Sequence, residues 1–98
     1  MATLFAVIRS RGPVWNDSLP LEGQQDWDAH AVFMNRLHHE GFVMLGGPLE
    51  GTRDVLLIVR ATDEHEIRAR FAAACWTEKN LLVISAIHPW TPRLGSLA

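Results

Sequence analysis

Apolar positions along the chain change period several times, and each change marks a predicted element. Leu4–Ile8 is unbroken apolar sequence whose Phe, Val and Ile suit an extended pleat, so it predicts a first strand. Arg9-Ser10-Arg11-Gly12-Pro13 ends it, and a polar, turn-rich stretch with Asn16, Asp17, Ser18 and Pro20 continues to about Gly23. From Gln24 to Glu40 the spacing turns helical. Trp27, Ala31, Met34, Leu37 and His38 recur at three- and four-residue intervals, His30 projects onto the same stripe, and Gly41 stands just past the helix end. Phe42–Leu45 predicts a second strand broken by Gly46-Gly47-Pro48, and Glu50–Arg53 a turn. Val55–Val59, all aliphatic, predicts a third strand. Thr62 or Asp63 can cap a second helix, with Asp63, Glu64 and Glu66 near its positive end and Ile67, Phe71 and Ala74 on its apolar edge. Leu81–Ile87 predicts the last strand, followed by His88-Pro89-Trp90.

Strand, helix, strand, strand, helix, strand is a split βαβ order. It predicts an α+β, ferredoxin-like βαββαβ fold with a four-stranded antiparallel sheet. In that fold both helices cover one face of the sheet, and a face left to water should alternate apolar with polar residues. The runs Leu4–Ile8, Val55–Val59 and Leu81–Ile84 instead put large aliphatics on both faces. Each such side chain left in water forfeits roughly 1.5–3 kcal/mol of burial. A second copy packed face to face removes the exposed patch, so the pattern predicts a homodimer or higher homo-oligomer. The competing arrangement folds the segment 11–23 under the sheet, with only Val14, Trp15, Leu19 and Leu21 to cover it.

Composition narrows the classes. The 98 residues are 48% apolar and 20% charged, which fits one folded domain over residues 1–98 and not a disordered chain. Nine basic and eleven acidic residues give a formal charge of −2 with no basic run, so no nucleic-acid partner is expected. A single cysteine, Cys75, rules out an intramolecular disulfide and any multi-cysteine zinc module. The early apolar run is too short for a membrane span or signal core. The expectation is a cytoplasmic protein with no membrane partner, cofactor or metal.

Several segments together resemble a known family. Trp27-Asp28-Ala29-His30-Ala31-Val32-Phe33-Met34, Gly41-Phe42, Leu45-Gly46-Gly47-Pro48-Leu49, and Pro89-Trp90 with Leu94-Gly95 resemble the YCII-like (YCII-related) proteins of the dimeric α+β barrel superfamily. The resemblance covers nearly the whole chain. It implies a ferredoxin-like subunit whose sheet pairs with that of a second subunit. It also implies kinship with small-molecule lyases, dehydrochlorinases and, more widely, muconolactone isomerases. The family's histidine on the first helix maps to His30. Its Asp-Pro-aromatic segment after the second helix corresponds to Ala74-Cys75-Trp76, so the acid of a His–Asp dyad is replaced by Ala74.

Among candidate residues His30 leads, because an imidazole on a helix face turned toward the sheet can exchange a proton near neutral pH. The alternative is a core histidine bonded to a backbone carbonyl. Asp26 and Asp28 project away from it on a helix. Arg9 and Arg11, at the end of the first strand, could hold a carboxylate, or form a solvated pair. Gly46-Gly47-Pro48 allows close approach of backbone to a ligand or marks a simple strand bend. Trp27 and Trp90 could wall a pocket, with Trp15 and Trp76 as further aromatic candidates. His38-His39-Glu40 lacks metal-chelating spacing and reads as solvated helix-end residues; Cys75 reads as buried and inert. No serine nucleophile elbow or H-E-x-x-H motif is present. Together with the resemblance, these residues imply an enzyme of the lyase, isomerase or dehydrochlorinase type. His30 would be its acid or base and Arg9, Arg11, Trp27, Gly46, Gly47, Pro48 and Trp90 would bind a small anionic or aromatic substrate. The alternative is a non-catalytic dimeric protein that binds a small ligand or serves as an accessory subunit.

Overall fold

The computed structural model describes residues 3–95. Strand β1 (Thr3–Arg11) leads through a loop and a 3-10 turn (Leu21–Gly23) to helix α1 (Trp27–His39). Strands β2 (Val43–Pro48) and β3 (Asp54–Ala61), helices α2 (Glu64–Ala72) and α3 (Cys75–Glu78), and strand β4 (Leu82–Pro89) follow. The strands form one antiparallel sheet in the order β2-β3-β1-β4, making a small α+β domain compatible with a ferredoxin-like arrangement.

Four local readings differ from the sequence pattern. First, the helix starts at Trp27 and not Gln24, because the Gln24 side chain is used elsewhere. Buried, it accepts from the Asn16 amide at 3.0 Å and donates to the Asn16 and Leu19 carbonyls at 2.7 and 3.0 Å, tying off the loop. Second, Gly46-Gly47-Pro48 does not break β2. Its edge position lets Pro48 end the strand without a missing ladder bond. Third, α2 stops at Ala72, capped at its start by Asp63 accepting from the Glu66 amide at 2.8 Å. Ala74 instead precedes α3, a helix the periodicity did not mark, and its carbonyl accepts from the Thr77 and Glu78 amides. Fourth, β1 runs on to Arg11, past the polar residues expected to end it.

Strand alternation sorts the side chains. Phe5, Val7 and Arg9 of β1 share the helix-covered face with their partners Val59, Leu57 and Val55. Phe5, Val7, Leu57 and Val59 pack with Leu37, Phe42, Ile67 and Phe71 in the main core, while Trp15, Trp76, Leu81 and Leu82 form a second cluster. Trp15 therefore sits on the helix side, and the segment 11–23 does not roof the other face. The loop is pinned where Gly12 donates to the Leu81 carbonyl at 2.8 Å. A β-carbon on Gly12 would lie 2.1 Å from the Asn80 carbonyl oxygen, so only glycine permits that approach.

The opposite face presents Leu4, Ala6 and Ile8 of β1, registered against Arg60, Ile58 and Leu56 of β3. Ala86 and His88 of β4 stand beside Ile8 and Ala6, and Leu45 of β2, 54% exposed, stands beside Ile58. On this face Leu4, Ala6, Ile8 and Leu56 are half-buried and Ile58 is buried.

Candidate functional site

A cleft of about 490 Å³ opens on the helix side of the sheet, between α1 and the strands. It is lined by Arg9 and Arg11 of β1, Trp27 and His30 of α1, and Gly46, Gly47 and Pro48 of β2. Seven residues singled out from the sequence thus share one concavity. Trp90 stands apart. It follows β4 beside the opposite end of β1, where its amide donates to the Leu4 carbonyl, and it does not line the cleft.

Period-2 alternation turns Arg9 inward with Phe5 and Val7, and the bulge in the pairing with β4, which leaves Ser85 unpaired, falls on β4 and does not disturb that alternation. The result is a guanidinium that is 1% exposed. One nitrogen, Nη2, donates to Thr77 Oγ1 at 2.7 Å, and the guanidinium carbon lies 4.9 Å from the centre of the Phe71 ring. Its Nε is buried without a partner, and no carboxylate pairs with it among the described residues. Burial lowers its pKa to about 10, so it remains a cation at neutral pH. Arg11, two residues on, lies over Trp15 at 4.8 Å.

His30 is held by aromatic rings. Its imidazole stacks on Trp76 at 3.7 Å and 9°, with Trp27 at 5.9 Å, and Trp76 is fixed in turn by donating to the Gln25 carbonyl at 2.6 Å. Its Nδ1 is buried without a partner, contrary to the backbone-bonded core histidine the sequence left open. Burial first, and the Arg9 charge second, push its pKa down to about 4. At neutral pH His30 is therefore uncharged and able to accept a proton. Ala74, the position of the missing acid, is 1% exposed and brings no carboxylate to the ring.

This shift has a sign that can be measured. Between pH 6.5 and 4 the unfolded chain binds a proton that folded His30 refuses, so stability is complete above 6.5 and falls as the solution is acidified. At pH 4.5 the loss from this residue is on the order of 2 kcal/mol relative to pH 7. Urea unfolding at both pH values should show wild type losing that much more than His30→Gln. Equal losses would place the ring in an ordinary environment.

Some lining residues were not legible as site residues. Trp15 and Trp76 were only general aromatic candidates, and His38, read as solvated, lines the cleft with Nδ1 2.8 Å from the Val43 carbonyl oxygen. The signal for His38 was its place on the helical stripe. Gly46 keeps the wall thin, since a β-carbon there would lie 2.5 Å from Leu57 Cδ2; Gly47 faces open space. Cys75 is a free, half-buried thiol at the start of α3. Among the described residues no group of three or more His, Cys, Asp or Glu could hold a metal ion, and no helix is long and apolar enough to cross a membrane.

No family model, curated protein or solved structure matches the chain.

Proposed function

We propose that this chain is a YCII-like small-molecule enzyme of the lyase, isomerase or dehydrochlorinase type, acting as a cytoplasmic homodimer on a small anionic substrate with an apolar or aromatic body. One observation carries the reading: a buried, unpaired arginine cation and a buried, uncharged imidazole line the same apolar cleft. A carboxylate docked at Arg9 supplies the missing counter-charge. It also offsets the electrostatic pressure that Arg9 exerts on His30, so the imidazole becomes more basic when substrate arrives. His30 then takes a proton from a carbon of the substrate. The C–H electron pair forms a double bond while a leaving group departs with its own pair, or the proton returns at another carbon to give an isomer. Such proton transfer contributes roughly 10²–10⁴-fold in rate.

The test is a thermal-shift screen of aromatic acids and lactones, with mass spectrometry to find product. His30→Gln should lower turnover at least a hundredfold while ligand still stabilises the protein. Turnover within a factor of two of wild type removes His30 from the chemistry. The absence of an acid beside the ring, with Ala74 in its place, favours a second reading, a non-catalytic ligand-binding or accessory protein. Stabilisation by ligand with no product would support it.

The homodimer is the part of the proposal that rests on the opposite, apolar sheet face. That face is self-complementary in charge: Asp54 lies at one end of β3 and Arg60 at the other, with aliphatics between. A two-fold axis lying between the two sheets, parallel to them and perpendicular to β3 near Leu56 and Ile58, brings each Asp54 to the partner's Arg60 while the aliphatic centres meet.

A further inference from the structure

The proposed mechanism uses one imidazole, yet two line the cleft. His38 lies eight residues after His30 on α1, about 12 Å further along the helix at its usual rise. Its ring is exposed at the mouth, but it is not a free solvated side chain. Nδ1 sits 2.8 Å from the Val43 carbonyl oxygen. A carbonyl only accepts, so Nδ1 carries the hydrogen, and the neutral ring keeps its lone pair on Nε2. Nε2 has no protein partner among the described residues. Met34, Val43 and Leu57 give the same cleft apolar lining, with the polar Asn35 beside them on α1. The cleft thus offers a cation, apolar walls and a fixed hydrogen-bond acceptor.

We infer that His38 is a specificity-determining residue, its Nε2 accepting a hydrogen bond from a hydroxyl at the far end of an elongated aromatic acid whose carboxylate docks at Arg9. The inference deepens the anionic-substrate reading above and rests on it. Both requirements come from residues that line one cleft, and the apolar and aromatic side chains among them favour an aromatic body over a small aliphatic acid.

The test uses trans-cinnamate and 4-hydroxycinnamate, which differ by the one hydroxyl, titrated into the full chain by calorimetry. Wild type should bind 4-hydroxycinnamate about tenfold more tightly, the worth of one good hydrogen bond. His38→Phe should bring the two affinities within twofold of each other, chiefly by weakening 4-hydroxycinnamate. In wild type, the His38 Nε2 nitrogen resonance should move with 4-hydroxycinnamate and stay with cinnamate, a readout that needs no variant to fold. Arg9-dependent binding of both probes with equal affinity overturns the role of His38 alone. Binding of neither probe overturns it together with the anionic-substrate reading.

Discussion

Without ligand, Arg9→Met is expected to melt several degrees above wild type, and to bind aromatic acids at least a hundredfold more weakly. Taking a guanidinium out of water costs several kcal/mol unless a counter-charge compensates, and no carboxylate does so among the described residues. The drop in pKa to about 10, caused by burial, corresponds to a cost on the order of 3 kcal/mol to the folded state at neutral pH, where the group is charged both folded and unfolded. Methionine follows much of the same path over Phe71 without the charge, at the loss of one hydrogen bond to Thr77. A net gain of about 1–2 kcal/mol is the expected outcome, or roughly 4–16 °C in a domain of this size. Losing the charge-assisted contact accounts for the affinity. Thermal melts with and without cinnamate measure both effects. A variant that melts well below wild type would show that the guanidinium serves the fold, and the argument for an anion would lose its main support.

The protein should sediment as a dimer at micromolar concentration, and Arg60→Glu should weaken that dimer at least a hundredfold. Arg60→Glu sets two acidic groups against each other at both symmetry-related ends of the interface. Asp54→Arg in the same chain should restore association by reversing the pair. Close charge pairs at interfaces couple by about 1.5–7 kcal/mol, and the two-fold counts each pair twice. Leu56→Glu provides an independent disruption, placing a charge in the aliphatic centre of the face. Analytical ultracentrifugation across a concentration series reads all of these. A monomeric wild type, or a double variant no better than Arg60→Glu, would rule out this two-fold packing.

The site was partly legible because its residues obey short-range rules. Arg9 is two and four residues after Val7 and Phe5, so a strand that buries those two must turn Arg9 the same way. His30 lies on the stripe of α1 that includes Trp27 and Met34, and helical spacing alone puts it toward the sheet. What the spacing did not give was the state of either group. Arg9 read more readily as a solvated strand-end residue, and its burial depends on Phe71 and Thr77, more than sixty residues away. The stacking of His30 on Trp76 and the tether of His38 to Val43 likewise join segments whose approach no local pattern encodes.

By itself, the sequence determined the order and type of the main elements and the apolar character of both sheet faces. Those follow from periodicity and local backbone preference, which act over a few residues. Only the tertiary structure decided that the segment 11–23 joins the helix side, that α3 exists, that Trp90 lies away from the cleft, and that a cation and an imidazole sit together without a carboxylate. Each of these is a matter of which distant surfaces exclude water from one another, and burial of that kind is a property of the assembled chain, not of any stretch of it.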